Sequence, residues 1–209
     1  MTPARPVAIL FDLLTGLLDS WSLWDRVAGN REAGRQWRAA YLRNTYREGR
    51  YRDYETLVRE AALETGLPAG CADDLARRYG ELEPWPEAAE ILCALAARVP
   101  LAIVTNCSER LGRIAAGRLG VTFASIVTAE RAGWYKPDAR PYALALQELG
   151  AEPEAALFVA GSAYDLVGAA AVGLPVVWHD RIGMAPPQGA PAPLAHCRSL
   201  RPLLDMVSG

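Results

Sequence analysis

The sequence has little histidine and no paired cysteines, and each shortage excludes a kind of site. The 209 residues include only two histidines, His179 and His196, so a histidine-based metal cluster is excluded and a histidine-dependent catalytic triad is disfavoured. The four cysteines are scattered and form no CxxC pair. This spacing favours reduced thiols in a cytoplasmic protein over a disulfide framework or a zinc site.

Long apolar runs and a strong charge of either sign are also missing. The net charge is −2, so we expect neither a nucleic acid nor a membrane surface as partner. No stretch approaches the ~20 apolar residues of a membrane-spanning helix. The N-terminus enters an apolar run directly, without a signal-peptide pattern. Hydrophobic residues make up 51% of the chain, which is enough for a substantial core.

Short apolar runs that end in small or polar residues recur along the chain and predict strands. They cover Val7–Phe11, Leu101–Val104, Ser125–Val127, Leu157–Val159 and Val176–Trp178. From residue 86 onward they alternate with helical patterns, several of which end at a glycine. This alternation predicts an α/β fold, with a Rossmann-like parallel sheet that carries helices on both faces.

Residues 18–84 break this alternation and predict a small helical cap inserted after the first strand. They contain no clear strand, and they carry aromatic and apolar residues at helical spacing, from Trp21 to Leu57. The core domain would then consist of residues 1–17 and 85–209, with "ELEPWPEA" (81–88) as the returning hinge. The Pro/Gly-rich segment 183–193 is predicted to be a surface loop before a last helix, Leu200–Val207.

Polar residues follow the predicted strands at the point where each strand ends. Ligands bind at the carboxyl ends of the strands in an open parallel sheet. Taken singly, these residues have structural interpretations, such as helix caps or a turn. Together they indicate a functional site, because the set includes the only lysine among 22 basic residues. The residues are Asp12, Thr105, Asn106, Lys136, Ser162 and Asp165.

These motifs resemble the haloacid dehalogenase-like hydrolases over almost the whole chain. The matching features are an aspartate in the first loop, "TNCS" after the second strand, a lysine before proline, and a final aspartate in "AGSAYD". The predicted insert lies where that superfamily has its small cap. The resemblance implies that the carboxylate of Asp12 attacks the substrate and forms a covalent ester.

Two positions distinguish the branches of this superfamily. Its phosphatases have a second acid two residues after the nucleophile and another in the last motif, whereas this chain has Leu14 and Gly161 there. Magnesium prefers an octahedral shell of oxygen ligands, including carboxylates. A magnesium-dependent phosphatase is therefore a disfavoured alternative, and we expect neither a metal nor a cofactor.

The metal-independent L-2-haloacid dehalogenases (type II) give the closest resemblance. They imply cleavage of the carbon–halogen bond of a short 2-haloalkanoic acid, giving a 2-hydroxy acid. The implied catalytic residues are Asp12, Lys136, Asp165 and, from "QWRAAYL" in the insert, Arg38. The implied substrate-binding residues are Leu14, Thr15, Arg38, Thr105, Asn106, Tyr142 and Ser162.

The chemistry agrees with these roles. Displacement at C2 needs a carboxylate nucleophile, cations for the departing halide and donors for the substrate carboxylate. Hydrolysis of the ester then needs a water that is positioned and activated. We predict Asp165 as the base or orienting group for this water, since no histidine is available for the role. Lys136 should lie within hydrogen-bond distance of Asp12 and Asp165 and keep both ionised.

Several residues depart from the dehalogenase pattern. That branch reads Asp-x-Tyr-Gly-Thr where this chain has Asp12-Leu13-Leu14-Thr15-Gly16. In the last motif, Ala160 and Ser162 stand where a serine and an asparagine are usual. Two further alternatives therefore stay open: a hydrolase of another 2-substituted carboxylate and a non-catalytic binding protein. A homodimer is compatible with the sequence but is not specified by it.

Overall fold

A parallel sheet with the strand order β3-β2-β1-β4-β5-β6 forms the centre of the computed structural model, which describes residues 5–208. All neighbouring strands are parallel. The order reverses between β1 and β4, which opens a crevice at their carboxyl ends. The strands are β1 (Ala8–Phe11), β2 (Leu101–Thr105), β3 (Ser125–Thr128), β4 (Ala156–Ala160), β5 (Val176–His179) and β6 (Ala195–Cys197).

Helices cover both faces of the sheet, as the alternating pattern predicts. Alternate residues of each strand point to opposite faces, so Ile9 and Phe11 join one buried cluster while Ala8 and Leu10 join another. The core helices are α5 (Ala88–Ala96), α6 (Glu109–Gly117), α7 (Ala129–Ala132), α8 (Ala139–Leu149), α9 (Asp165–Ala171) and α10 (Pro202–Met206), with a 3₁₀ turn at Pro153–Ala155.

The predicted insert is helical in the structure. It contains α1 (Ser20–Val27), α2 (Arg31–Glu48), α3 (Tyr54–Glu64), α4 (Gly70–Arg77) and a 3₁₀ turn at Tyr79–Glu81. Its aromatic residues pack mainly against one another, with the ring centroids of Trp24 and Trp37 separated by 4.4 Å. An antiparallel bridge between Leu18 and Pro84 joins the outgoing and returning segments.

The last part of the chain contains one strand without a sequence-based prediction and one helix whose predicted start needs correction. The strand is β6, whose segment "AHC" has neither an apolar run nor an alternating pattern. Its pairing with β5 comes from the tertiary fold. The last helix begins at Pro202 rather than Leu200. Residues 1–4 and Gly209, which the predicted core domain includes, lie outside the described residues.

Candidate active site

Asp12, Lys136 and Asp165 meet at the carboxyl ends of β1 and β4. The Lys136 ammonium lies 2.8 Å from Asp12 Oδ1 and 2.9 Å from Asp165 Oδ1. This contact between all three residues agrees with the sequence-based expectation. The side chains are buried, with exposed fractions of 7% for Asp12, 2% for Lys136 and 0% for Asp165. Buried charges need partners of opposite charge, and the Lys136 ammonium is the partner of both carboxylates.

The surroundings of the two carboxylates shift their pKa values in opposite directions. Burial by itself would raise the pKa of Asp12, but the Lys136 charge and the N–H groups of Gly16 and Thr15 lower it below its usual value. The pKa of Asp165 is raised, first by burial and then by the Asp12 charge, although Lys136 opposes both. Burial would lower the pKa of Lys136, yet the two carboxylates raise it. Lys136 lowers the pKa of each carboxylate and so favours its ionised form, while the expectation that both are ionised stays a prediction.

The loop after β1 surrounds the second oxygen of Asp12 with backbone donors. The N–H groups of Thr15 and Gly16 donate to Asp12 Oδ2 over 3.2 and 3.0 Å. Gly161 packs directly against this loop. A Cβ atom added to Gly161 would lie 2.0 Å from the Gly16 nitrogen and 2.5 Å from Asp12 Oδ2. An acid therefore does not fit at position 161 unless this loop moves.

Three residues predicted to bind substrate are engaged with other protein groups. The Asn106 amide accepts from the Lys136 N–H at 2.7 Å and donates to the Lys136 carbonyl at 3.1 Å. The Tyr142 hydroxyl donates to Asp165 Oδ1 at 2.7 Å. The Thr105 hydroxyl donates to Cys107 Sγ at 3.3 Å. In this structure, Asn106 and Tyr142 position the charged residues, and a direct substrate contact for the three residues stays a prediction.

Arg38 reaches the site from helix α2 of the cap. Its guanidinium carbon lies 5.2 Å from the ring centroid of Trp21, 5.0 Å from that of Trp24 and 5.9 Å from that of Tyr41. Its Nη2 donates to Thr15 Oγ1 at 3.4 Å, and 1% of the residue is exposed. Within residues 5–208, its Nε and Nη1 have no hydrogen-bond partner. Arg38 thus supplies a buried cation with unused donors beside the Asp12 loop.

Ser162 and Leu14 complete the predicted set. The Tyr46 hydroxyl of the cap donates to Ser162 Oγ at 2.7 Å, so Ser162 ties the core to the cap. Leu14 is buried in the larger apolar cluster.

A groove of about 400 Å³ lies between α2 and the core loops that follow β4 and β5. Its lining residues are Trp21, Arg35, Ala39, Leu42, Arg43, Tyr164 and residues 182–185.

Sequence reasoning missed three side chains that hold the Asp12 loop. The indole N–H of Trp21 donates to Thr15 Oγ1 at 3.3 Å, and that of Trp85 donates to the Thr15 carbonyl at 2.8 Å. His179 Nδ1 donates to the Gly16 carbonyl at 2.8 Å. This contact places His179 against the backbone of the loop, and the expectation that no histidine activates the hydrolytic water stays a prediction. The available signal was the place of His179 directly after the apolar run of β5.

Two other features are absent from the described residues. Within residues 5–208, no helix combines the length and the apolar character needed to cross a membrane. The same residues contain no group of three or more histidine, cysteine, aspartate or glutamate side chains arranged to hold a metal ion.

Comparison with known proteins identifies a matching family and several similar dehalogenases. A family model for haloacid dehalogenase-like hydrolases matches residues 9–173. The chain is 30% identical to (S)-2-haloacid dehalogenase H-109 of Pseudomonas putida, over 95% of this chain and 96% of that protein. It is 34% identical to (S)-2-haloacid dehalogenase 4A of Burkholderia cepacia, over 90% and 89%.

A solved structure shows the same similarity in three dimensions. It is the L-2-haloacid dehalogenase of Xanthobacter autotrophicus with chloropropionic acid covalently bound. It superposes with a TM-score of 0.87 and 25% identity, over 98% of this chain and 99% of that chain. The α/β fold with its helical insert is therefore shared with this relative.

Proposed function

Since the chain belongs to the family of haloacid dehalogenase-like hydrolases, we propose that it hydrolyses the carbon–halogen bond of a short (S)-2-haloalkanoic acid to the 2-hydroxy acid. The observation that carries the proposal is the ion pair between Asp12 Oδ1 and Lys136 Nζ, which are 2.8 Å apart. In the same site, Gly161 stands where the phosphatases of the superfamily have an acid. The enantiomer is taken from the names of the relatives, which are (S)-2-haloacid dehalogenases.

The first step is a displacement at C2 of the substrate. An oxygen of Asp12 forms a bond to C2 while the carbon–halogen bond breaks, and the halide departs with the electron pair. Burial and the aromatic rings of the cap exclude water, which would otherwise solvate the nucleophile and the leaving group. Arg38 Nε and Nη1, which have no hydrogen-bond partner among residues 5–208, supply donors for an anion at this point.

The second step is hydrolysis of the ester on Asp12. Water attacks the carboxyl carbon of Asp12, and the bond between that carbon and the ester oxygen breaks. The 2-hydroxy acid leaves with this oxygen still bonded to C2, and the oxygen of water restores the Asp12 carboxylate. Asp165 is the proposed base or orienting group, since its Oδ2 has no hydrogen-bond partner within residues 5–208. The raised pKa of Asp165 suits a group that accepts a proton from water. Overall, water and the haloacid give the hydroxy acid, a halide ion and a proton.

The packing around Asp12 argues against phosphoryl transfer as the alternative. Phosphatases of this superfamily need acids at the positions that correspond to Leu14 and Gly161 here. A side chain at position 161 would collide with the Gly16 backbone. Leu14 offers no proton for a leaving group. Hydrolysis of another 2-substituted carboxylate and ligand binding without turnover use the same residues, and halide release from a 2-haloacid would favour dehalogenation over both.

The test measures two kinds of product with the wild-type protein. Halide release is followed with (S)- and (R)-2-chloropropionate, and phosphate release with an aryl phosphate, each with EDTA and with added Mg²⁺. We expect halide from the (S) enantiomer at a rate that EDTA does not change, and no phosphate. Phosphate release that requires Mg²⁺ would contradict the proposal and support a phosphatase. Release of neither product would leave binding or a different leaving group as the function.

A further inference from the structure

We propose that Trp85, in the segment that returns from the cap to the core, is a positioning residue that aims the Gly16 N–H at the nucleophile Asp12. The inference deepens the proposed function and rests on it for the assignment of Asp12. Trp85 is half-buried and lies in the segment predicted to be the returning hinge.

One peptide unit connects Trp85 to Asp12. The Trp85 indole donates to the Thr15 carbonyl at 2.8 Å, and the Gly16 N–H donates to Asp12 Oδ2 at 3.0 Å. This carbonyl and this N–H belong to the same peptide group. A trans peptide is planar, and its C=O and N–H point in opposite directions. A side chain that fixes the carbonyl therefore fixes the direction in which the N–H points.

The same contact strengthens the donor. A carbonyl that accepts a hydrogen bond polarises its peptide group, which makes the N–H at the other side a better donor. The Gly16 N–H is one of two backbone donors on Asp12 Oδ2. The indole of Trp85 thus acts on the nucleophile through one intervening peptide, without touching substrate.

The loop has little freedom to compensate for a lost anchor. A Cβ atom at Gly16 would lie 2.3 Å from the Asp12 carbonyl oxygen, so the backbone is tightly folded there. The next carbonyl, of Gly16 itself, is held separately by His179 Nδ1 at 2.8 Å. Each anchor fixes a different peptide group, and Trp85 holds the one whose N–H reaches Asp12.

Trp85 is in turn fixed by the hinge. Its backbone N–H donates to the Leu17 carbonyl at 3.0 Å, directly beside the bridge between Leu18 and Pro84. The Arg181 guanidinium lies over its ring at 4.6 Å from the centroid and pairs with Glu87 at 3.1 Å. The position of the cap linker and the alignment of the Gly16 N–H are therefore coupled.

The test compares Trp85→Phe with Trp178→Phe. The first change keeps an aromatic ring near Arg181 and removes the donor to Thr15. The second removes an indole N–H that has no hydrogen-bond partner within residues 5–208. Two readouts are taken: kcat and KM for halide release from (S)-2-chloropropionate, and the Gly16 amide proton shift in ¹⁵N-glycine-labelled protein.

We expect Trp85→Phe to lower kcat about 5- to 10-fold, the effect of about 1 kcal/mol for one neutral hydrogen bond, while KM changes less than about twofold. The Gly16 amide proton should move upfield, and Trp178→Phe should change neither readout. If Trp85→Phe does not fold, Trp85→Tyr replaces it with the same expectations.

An unchanged Gly16 shift together with an unchanged kcat would overturn the proposal, as would equal effects of the two phenylalanine variants. The amide shift keeps this test apart from the proposed function. If the wild-type protein released no halide, the dehalogenase assignment would fail, while a shift of the Gly16 proton in Trp85→Phe would still support the positioning role.

Discussion

The core side and the cap side of the site differ in how completely their charges are paired. On the core side, Lys136 contacts both Asp12 and Asp165 within 2.9 Å, and Asn106 holds the Lys136 backbone. On the cap side, Arg38 lies among aromatic rings, and its Nε and Nη1 have no hydrogen-bond partner in the described part of the chain. A buried donor without a partner costs free energy. We infer that the core side is assembled before substrate binds, whereas the cap side is completed by an anionic substrate.

The largest effect is expected from removing the nucleophile on the core side. Asp12→Asn should lower halide release by a factor on the order of 10⁴ or more, because an amide does not displace the halide. Folding should persist, since Lys136 keeps Asp165 as its partner. The measurement combines steady-state halide release with a thermal melt. Near wild-type turnover, with mass spectrometry excluding deamidation back to aspartate, would refute the assignment.

The next effect tests whether the core side depends on geometry as well as charge. Lys136→Arg keeps the charge but replaces a compact ammonium by a planar fork, in a site where 2% of Lys136 is exposed. We expect kcat to fall more than about 100-fold, the scale of losing one preorganised charge contact. Arg140→Lys, at an exposed residue of the same segment, is the control. Equal activity of both variants would mean that only the charge matters.

The cap side is tested with Arg38→Gln. Loss of this cation should cost on the order of 3 kcal/mol in kcat/KM, about 100-fold, because the anion loses its charged donor. Arg47→Gln, on the exposed face of the same helix, should have almost no effect. If Arg38→Gln instead lowered stability and left kcat/KM intact, Arg38 would be a packing residue of the cap and the comparison would fail.

The convergence of the core residues could be predicted because parallel strands end at one edge of the sheet. Asp12 directly follows β1, and Asp165 lies in the loop and helix start after β4, so both follow this rule, whereas helix α7 separates Lys136 from β3. The partners of Asn106 and Tyr142 could not be predicted, because each depends on the direction of one side chain after folding. Trp85 acts through a backbone carbonyl, for which no sequence pattern exists.

The smallest effect concerns the buried histidine behind the Asp12 loop. Burial lowers the pKa of His179 below its usual value. Between the folded pKa and the unfolded pKa of about 6.5, the unfolded chain binds more protons, so stability falls as the pH drops through this window. We expect the melting temperature of the wild-type protein to fall a few degrees more than that of His179→Asn between pH 7.5 and 5. Parallel curves for the two proteins would contradict this role of His179.

The most direct test of the two-step account is the mass of Asp165→Asn after incubation with (S)-2-chloropropionate. This variant keeps the nucleophile and Lys136 but loses the group proposed to act on water. The account predicts one burst of halide and an increase in protein mass equal to the substrate without its halogen, attached through C2 as an ester of Asp12 and located there by peptide mapping. Normal turnover, or halide release without any adduct on Asp12, would contradict it.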